Sequence, residues 1–106
     1  MSRPKAIIFG AGISGMAVLL NIKESHEVIA FIDNDERKWG SVVHEAIPVY
    51  PPSFIENAAY DMIFVGSYVG LGPMTDQLFG MGVPPAKIDC QFALVTIKSR
   101  KSFWRT

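Results

Sequence analysis

The sequence predicts one α/β domain, a three-layer, doubly wound parallel sheet of about 4–5 strands with helices on both faces. Short apolar runs recur at residues 5–10, 27–33 and 61–67, and each contains or ends at a glycine or an acid. Segments with helical spacing follow the first and third runs. Runs that are apolar at nearly every position are typical of strands buried on both faces, as in parallel sheets.

The composition indicates a single small globular domain. The chain has 106 residues, of which 49% are hydrophobic and 19% are charged, and its formal net charge is zero. Balanced charge gives no indication of nucleic-acid binding, and no stretch approaches the roughly 20 apolar residues that span a bilayer. We expect a cytoplasmic protein with its domain at residues 1–97 and a basic tail or linker at 98–106, where four of the ten basic residues lie.

The first predicted elements form a βαβ unit. "KAIIFG" at 5–10 and "EVIAFID" at 27–33 predict two parallel strands. Between them, four apolar residues fall at helical spacing and predict the apolar stripe of a helix of about three turns: Ile13, Met16, Ala17 and Leu20.

The later elements are predicted from the same patterns. A polar loop with a short helical turn, a brief extended piece and a helix that begins near two prolines come first: residues 34–46, 47–50 and 51–60. A third strand, a second helix and a last strand follow: residues 61–67, 72–82 and 87–97. In the second helix, Met74, Leu78 and Met81 share one face.

A glycine loop lies between the first strand and the first helix, in the pattern G-x-G-x-x-G. Gly10 permits the sharp turn, Gly12 lets a pyrophosphate approach the backbone, and Gly15 lets the helix pack close to the strand. The helix N-terminus offers N–H groups to the phosphates. The loop therefore predicts nucleotide contacts along its length: Gly10, Ala11, Gly12, Ile13, Ser14 and Gly15. The alternative is that the glycines only shape a strand-to-helix turn.

Two further segments are predicted to contact the same ligand. Asp33 ends the second strand, 18 positions after Gly15, where an acid accepts hydrogen bonds from the ribose hydroxyls of NAD; Asn34 follows it. The nearby Arg37 and Lys38 would weaken its discrimination against NADP. After the third strand, Ser67 and Tyr68 are candidates for the second half of a dinucleotide or for a sugar. NADP, coenzyme A and nucleotide-sugars stay open as ligands.

The sequence supplies no catalytic constellation, so we expect no catalytic residue and no metal ligand. No tyrosine is followed by a lysine four residues later, the pairing that many sugar-hydroxyl dehydrogenases use. His26 and His44 have no orienting partner in sequence and are expected at the surface. Cys90, the single cysteine, excludes an internal disulfide and is expected in the core.

Several segments together resemble the small N-terminal Rossmann domain of bacterial surface-polysaccharide proteins. They are "KAIIFGAGISGMAVLLNI", "HEVIAFIDNDERKWG", "IPVY" and "YDMIFVGS", and the resemblance covers about residues 5–92. The group includes nucleotide-sugar epimerase/dehydratases, FkbM-type methyltransferases and sugar O-acyltransferases. The resemblance implies a nucleotide- or nucleotide-sugar-binding domain joined to a catalytic domain or subunit, with Gly10, Gly12, Gly15 and Asp33 matching the nucleotide-contact pattern.

These observations leave three functional hypotheses. The first is an NAD-binding domain of a sugar-modifying protein that is not catalytic by itself. The second is the cofactor-binding half of an NAD-dependent oxidoreductase or epimerase that another domain completes. The third is an interaction domain that has lost its ligand and forms a homodimer through an edge strand at residues 92–97.

Overall fold

A computed structural model describes residues 2–44, 46–67 and 69–90. These residues form six strands: β1 (Lys5–Phe9), β2 (Glu27–Ile32), β3 (Val42–Val43), β4 (Ile47–Tyr50), β5 (Met62–Val65) and β6 (Ile88–Asp89). They also form two α-helices, α1 (Ile13–Ile22) and α2 (Leu71–Gly80), and three 3-10 turns, Glu36–Lys38, Pro52–Asn57 and Pro85–Lys87.

The strands form one sheet in the order β3-β4-β2-β1-β5-β6. All neighbours pair in parallel except β3, which pairs antiparallel with β4 through Val42 opposite Pro48 and Val43 opposite Ile47. The sheet is therefore mostly parallel, as predicted, but it has six strands in place of about 4–5 and is mixed at one edge. The sequence patterns missed β3 and predicted a longer strand, at residues 87–97, where β6 lies; each of these strands has two residues in the described ranges.

One face of the sheet packs against α1. Ala6 and Ile8 of β1 contact the apolar side of α1 in a buried cluster. The buried helix residues are Gly15, Val18, Leu19 and Ile22. The predicted stripe through Ile13 and Leu20 was wrong, because these two side chains are exposed and the helix is turned about its axis relative to that expectation.

The other face of the sheet packs against α2. Ile7 and Phe9 point to this side of β1 and lie in a second buried cluster with Leu78. Met74 and Met81 pack against the same cluster, which confirms the predicted face of α2. Helices on opposite faces of the sheet give the three layers that the sequence predicted.

Two other predicted elements differ from the structure. The helix predicted at residues 51–60 is a 3-10 turn, Pro52–Asn57; only six residues are available before the backbone becomes extended at Ala58. The last predicted strand begins as β6, while its part from residue 91 onward, including the proposed edge strand at 92–97 and the basic tail at 98–106, lies outside the described residues.

Candidate functional site

A cleft of about 360 Å³ opens at the carboxyl ends of the central strands. It is lined by the last residue of β1, by residues that follow β1, β2 and β5, by the start of α1 and by one side chain of α2: Phe9, Gly10, Gly12, Ile13, Ser14, Asp33, Asn34, Gly66, Ser67 and Met74. The chain leaves β1 for one face of the sheet and leaves β5 for the other, so the cleft lies where the strand order reverses. Open α/β sheets bind ligands at this point.

The structure brings most of the predicted site residues to this cleft. Seven line it directly: Gly10, Gly12, Ile13, Ser14, Asp33, Asn34 and Ser67. Ala11 lies in the same loop and Gly15 is buried in the first turn of α1, and neither lines the cleft, while Tyr68 is outside the described residues. Three further residues line the cleft that the sequence patterns did not predict: Phe9, Gly66 and Met74. The glycine near the end of the third predicted strand was a signal for Gly66.

Two glycines of the pattern are required by the fold, Gly10 by its backbone conformation and Gly15 by close packing. Gly10 has a φ of +111°, which favours glycine, and a Cβ on Gly15 would lie 1.8 Å from the Gly10 carbonyl oxygen. On the other side, a Cβ on Gly66 would lie 2.7 Å from the Gly15 Cα. These contacts hold the start of α1 against the ends of β1 and β5.

Gly12 differs from its neighbours because neither packing nor backbone geometry requires a glycine there. Its φ is −105°, an ordinary extended value, and the nearest atom to an added Cβ is the Lys38 Nζ at 3.9 Å. The open side of Gly12 is part of the cleft lining. A group that enters the cleft can therefore reach the backbone of this loop without meeting a side chain of residue 12, and the end of the flexible Lys38 side chain is the nearest group beside it.

The N-terminus of α1 presents uncapped backbone to the same cleft. Gly12 is the N-cap residue, no side chain caps the helix, and no acid lies in its first turn. The positive end of the helix dipole and the first N–H groups are therefore available to an anion. Ile13 is 93% exposed at this position, although it is a large apolar side chain.

The Asp33 carboxylate ties the glycine loop to the end of β2. Its Oδ2 accepts a hydrogen bond of 2.8 Å from the Ala11 N–H, and its Oδ1 accepts one of 2.8 Å from the Asp35 N–H. The Lys38 Nζ lies 3.7 Å from Oδ2. The predicted ribose acceptor is thus already hydrogen-bonded within the protein, and part of its acceptor capacity remains for a ligand.

The turn after β2 holds the two basic residues in different places. Arg37 donates from Nε and Nη2 to the Asp35 carboxylate, each at 2.9 Å, and these bonds lower the pKa of Asp35 from 3.8 to about 2. Lys38 instead extends toward Gly12 and Asp33. The Trp39 Nε1 donates to the Asp33 carbonyl oxygen at 2.7 Å, which fixes the turn against the strand end.

An amide pair joins the end of β2 to α2. Asn34 Nδ2 donates to Gln77 Oε1, and Gln77 Nε2 donates to Asn34 Oδ1, both at 2.9 Å. The two residues are 43 positions apart in sequence. Beside them, the Ser67 Oγ accepts a hydrogen bond of 3.0 Å from the Gly70 N–H and shapes the approach to α2.

The remaining candidate residues lie away from the cleft. His26 precedes β2, at the end of that strand opposite Asp33, with its ring edge against Phe64 at 5.1 Å between centroids. His44 is exposed, with a φ of +54°. Cys90 is partly buried against the α2-side cluster. Among the described residues, no group of three or more His, Cys, Asp or Glu side chains could hold a metal ion.

Comparison with known proteins places the chain in a family. Residues 2–89 match the family described as C2185-like, N-terminal. No curated protein matches the sequence. Among solved structures, the chain resembles UDP-D-quinovosamine 4-dehydrogenase from Vibrio fischeri, with 20% identity, a TM-score of 0.61 and coverage of 83% of this chain and 75% of that one.

At 20% identity, this likeness shows a common fold. The mostly parallel sheet with helices on both faces is compatible with the Rossmann-like architecture that the sequence predicted. None of the helices in residues 2–44, 46–67 and 69–90 is long and apolar enough to cross a membrane. The family match extends from residue 2 to residue 89 and so takes in every described element of the sheet as well as the glycine loop. The chain belongs to the C2185-like N-terminal domain family.

Proposed function

We propose that the chain is a nucleotide-binding domain, with NAD as its expected ligand, of a cytoplasmic protein of bacterial polysaccharide or nucleotide-sugar synthesis. It is not catalytic by itself. A second domain or subunit supplies the reacting groups. NADP, coenzyme A and UDP-sugars are the other ligands against which NAD is to be compared.

The open glycine at position 12 carries this proposal. Gly10 and Gly15 have structural reasons to be glycines, since a Cβ would strain or collide there. Gly12 has none, and its bare backbone faces a cleft at the N-terminus of α1. A pyrophosphate that approaches this backbone would use the space that a side chain would fill. A glycine turn without a ligand would need no glycine at this N-cap position, where Ser, Thr, Asp or Asn would cap the helix.

The rest of the cleft fits an adenosine nucleotide. Its volume, about 360 Å³, is in the range of small-molecule sites. Asp33 lies at the end of β2, where an acid contacts a ribose, and retains acceptor capacity beyond its bonds to Ala11 and Asp35. A carboxylate here disfavours a 2′-phosphate, which supports NAD over NADP.

The cleft lining supports a binding role. Asp33 is the one titratable side chain among the ten residues of the described lining, and its carboxylate is engaged by two backbone N–H groups. To act as a general base, this carboxylate would have to lie within hydrogen-bond distance of the proton that it removes. The family is described as an N-terminal one, and the solved relative is a UDP-sugar dehydrogenase, so a sugar-modifying partner domain is consistent with both.

Calorimetric titration of the full chain with NAD, NADP, coenzyme A and UDP-glucose tests the proposal. We expect NAD to bind, and Gly12→Val to abolish binding because the valine side chain occupies the phosphate approach. The variant should keep its fold, since the φ of Gly12 suits any residue. Gly80→Val is the matched control, because Gly80 also has open space around its Cβ position but lies at the far end of α2.

The two variants separate the outcomes. Loss of binding in Gly12→Val with retention in Gly80→Val supports a phosphate site on the glycine loop. If UDP-glucose bound more tightly than NAD, the proposed ligand would be a UDP-sugar, and the proposed site on the glycine loop would be unchanged. No binding of any ligand at about 1 mM would overturn the proposal and leave the glycines as a structural turn.

A second candidate, the cofactor-binding half of an oxidoreductase, is favoured by the likeness to a dehydrogenase structure. NAD binding fits both candidates, so a reaction must separate them. The chain would be mixed with NAD and a UDP-sugar, and the absorbance of NADH would be followed. Because another domain completes the enzyme in the second candidate, the assay is run with and without the protein that carries that domain. We expect no NADH from the chain alone under either candidate, and NADH formation with the partner present would favour the second candidate.

A further inference from the structure

We infer that Lys38 is a diphosphate-binding residue of this cleft, with its ammonium group donating to phosphate oxygens above Gly12. The inference rests on the proposed function and names a side-chain contact that the glycine pattern does not contain. A glycine loop of this kind recognises phosphates through backbone N–H groups and the helix dipole. Here a cation is added from the turn after β2.

The position of the Lys38 ammonium group is the first support. Its Nζ is the nearest atom to a Cβ built on Gly12, at 3.9 Å, and thus lies over the part of the loop that a diphosphate must approach. The turn Glu36–Lys38 sets this direction, and the Asp35 side chain holds the start of that turn by accepting from the Arg37 N–H. Lys38 is therefore presented to the cleft by a defined local structure.

The hydrogen-bonding capacity of Lys38 is the second support. The Nζ lies 3.7 Å from the Asp33 Oδ2, an ion-pair distance that is longer than a hydrogen bond. An ammonium group has three donors, and the side chain is 41% exposed. Lys38 can therefore turn toward an incoming phosphate while it stays close to Asp33.

Electrostatics gives a reason for a cation at this place. The Asp33 carboxylate is hydrogen-bonded to Ala11, the residue just before Gly12, so a diphosphate on the loop approaches a fixed negative charge. Lys38 lies beside both and offsets that repulsion. Arg37, the neighbouring cation, does not take this role because its guanidinium is bound to Asp35 by two hydrogen bonds.

Titrations of adenosine and ADP against the full-length protein and two variants test the inference. Lys38→Gln removes the cation, and Arg37→Gln removes the same charge one residue away. We expect Lys38→Gln to weaken ADP binding about tenfold and to leave adenosine binding unchanged, because only ADP has the phosphates. Arg37→Gln should change neither affinity by more than about twofold, the level expected for a screened charge. If the protein prefers a UDP-sugar, uridine and UDP replace adenosine and ADP in the same titrations.

Salt and a conservative variant add two further measurements. The difference between wild type and Lys38→Gln should shrink at roughly 0.5 M salt, since an exposed charge contact is screened there. Lys38→Arg keeps the charge and should bind ADP within about threefold of wild type. Circular dichroism of each variant would establish that the fold is retained.

The outcomes distinguish this inference from the proposed function. ADP binding by wild type with no change in Lys38→Gln overturns the inference alone. Equal weakening of adenosine and ADP, or weakening of NADP without weakening of ADP, also overturns it, because Lys38 would then contact the ribose or a ribose phosphate. Absence of any nucleotide binding by wild type overturns both proposals.

Discussion

Gly12 and Gly15 lie three residues apart at the start of α1, yet an added methyl group has different consequences at the two positions. At Gly15 it would lie 1.8 Å from the Gly10 carbonyl oxygen, a backbone atom that cannot move without the strand end. At Gly12 the nearest atom is the end of a flexible lysine, at ordinary contact distance. The fold therefore requires a glycine at position 15, whereas the open side of Gly12 is part of the cleft lining.

A comparison of two alanine variants tests this division. We expect Gly15→Ala to lower the free energy of unfolding by about 3 kcal/mol, because the Cβ forces α1 away from β1. Gly12→Ala should lower it by less than about 1 kcal/mol, the scale of an N-cap substitution. Denaturant unfolding of both variants gives the two values. Equal losses would show that the loop packs as one unit.

Asp33 shows what can be predicted about a single residue of the site. Its place at the end of a strand could be predicted from the apolar run that precedes it, and its presence in the cleft followed from the strand order. Its hydrogen bond from the Ala11 N–H could not, because that donor is 22 positions away and is brought near by the packing of β1 beside β2. The place of Lys38 over Gly12 depends on the same packing.

At the scale of elements, α1 shows why a helix can be predicted and its buried face missed. Its sequence, ISGMAVLLNI, is apolar almost all round, so more than one stripe fits helical spacing. The contact of Gly15 with Gly10 selects the stripe, since it brings that side of the helix to the strand. The buried residues then follow Gly15 at helical spacing: Val18, Leu19 and Ile22.

The short elements were unpredictable for a different reason. β3 has two residues, and its pairing with β4 depends on contacts across a turn more than on an apolar run. The segment Pro52–Asn57 begins with a proline, which is a helix-start signal, but it closes as a 3-10 turn, with only Ile55 buried. Patterns of six residues or fewer do not distinguish these alternatives.

Helix α2 offers a matched pair of side chains for testing the core. Leu78 is fully buried in the cluster under α2, whereas its neighbour Phe79 is 46% exposed. We expect Leu78→Ala to lower the free energy of unfolding by about 3 kcal/mol, because it leaves a cavity against β1 and β5. Phe79→Ala should cost less than about 1 kcal/mol. Thermal or denaturant unfolding measures the free energy of unfolding of both variants. A larger decrease for Phe79→Ala than for Leu78→Ala would contradict the assignment of Leu78 as the core side chain of this pair.

At the scale of the whole molecule, the cleft depends on elements that are distant in sequence. The loops after β1, β2 and β5 meet there because β1 pairs with β2 on one side and with β5 on the other. The Asn34–Gln77 amide pair adds a direct link between the end of β2 and α2. A ligand in this cleft would contact parts of the chain that come together only in the folded state.

Because the cleft forms only when these distant segments are folded together, we expect a nucleotide bound there to stabilise the entire domain. A ligand that binds only the folded state, present at about 100 times its dissociation constant, adds about 2.7 kcal/mol to the free energy of unfolding. For a domain of this size, we expect NAD at that level to raise the Tm by roughly 10 °C or more. Differential scanning calorimetry with and without NAD measures the shift. Gly80→Val should show the full shift and Gly12→Val none; an equal shift in both variants would mean that NAD binds away from the glycine loop.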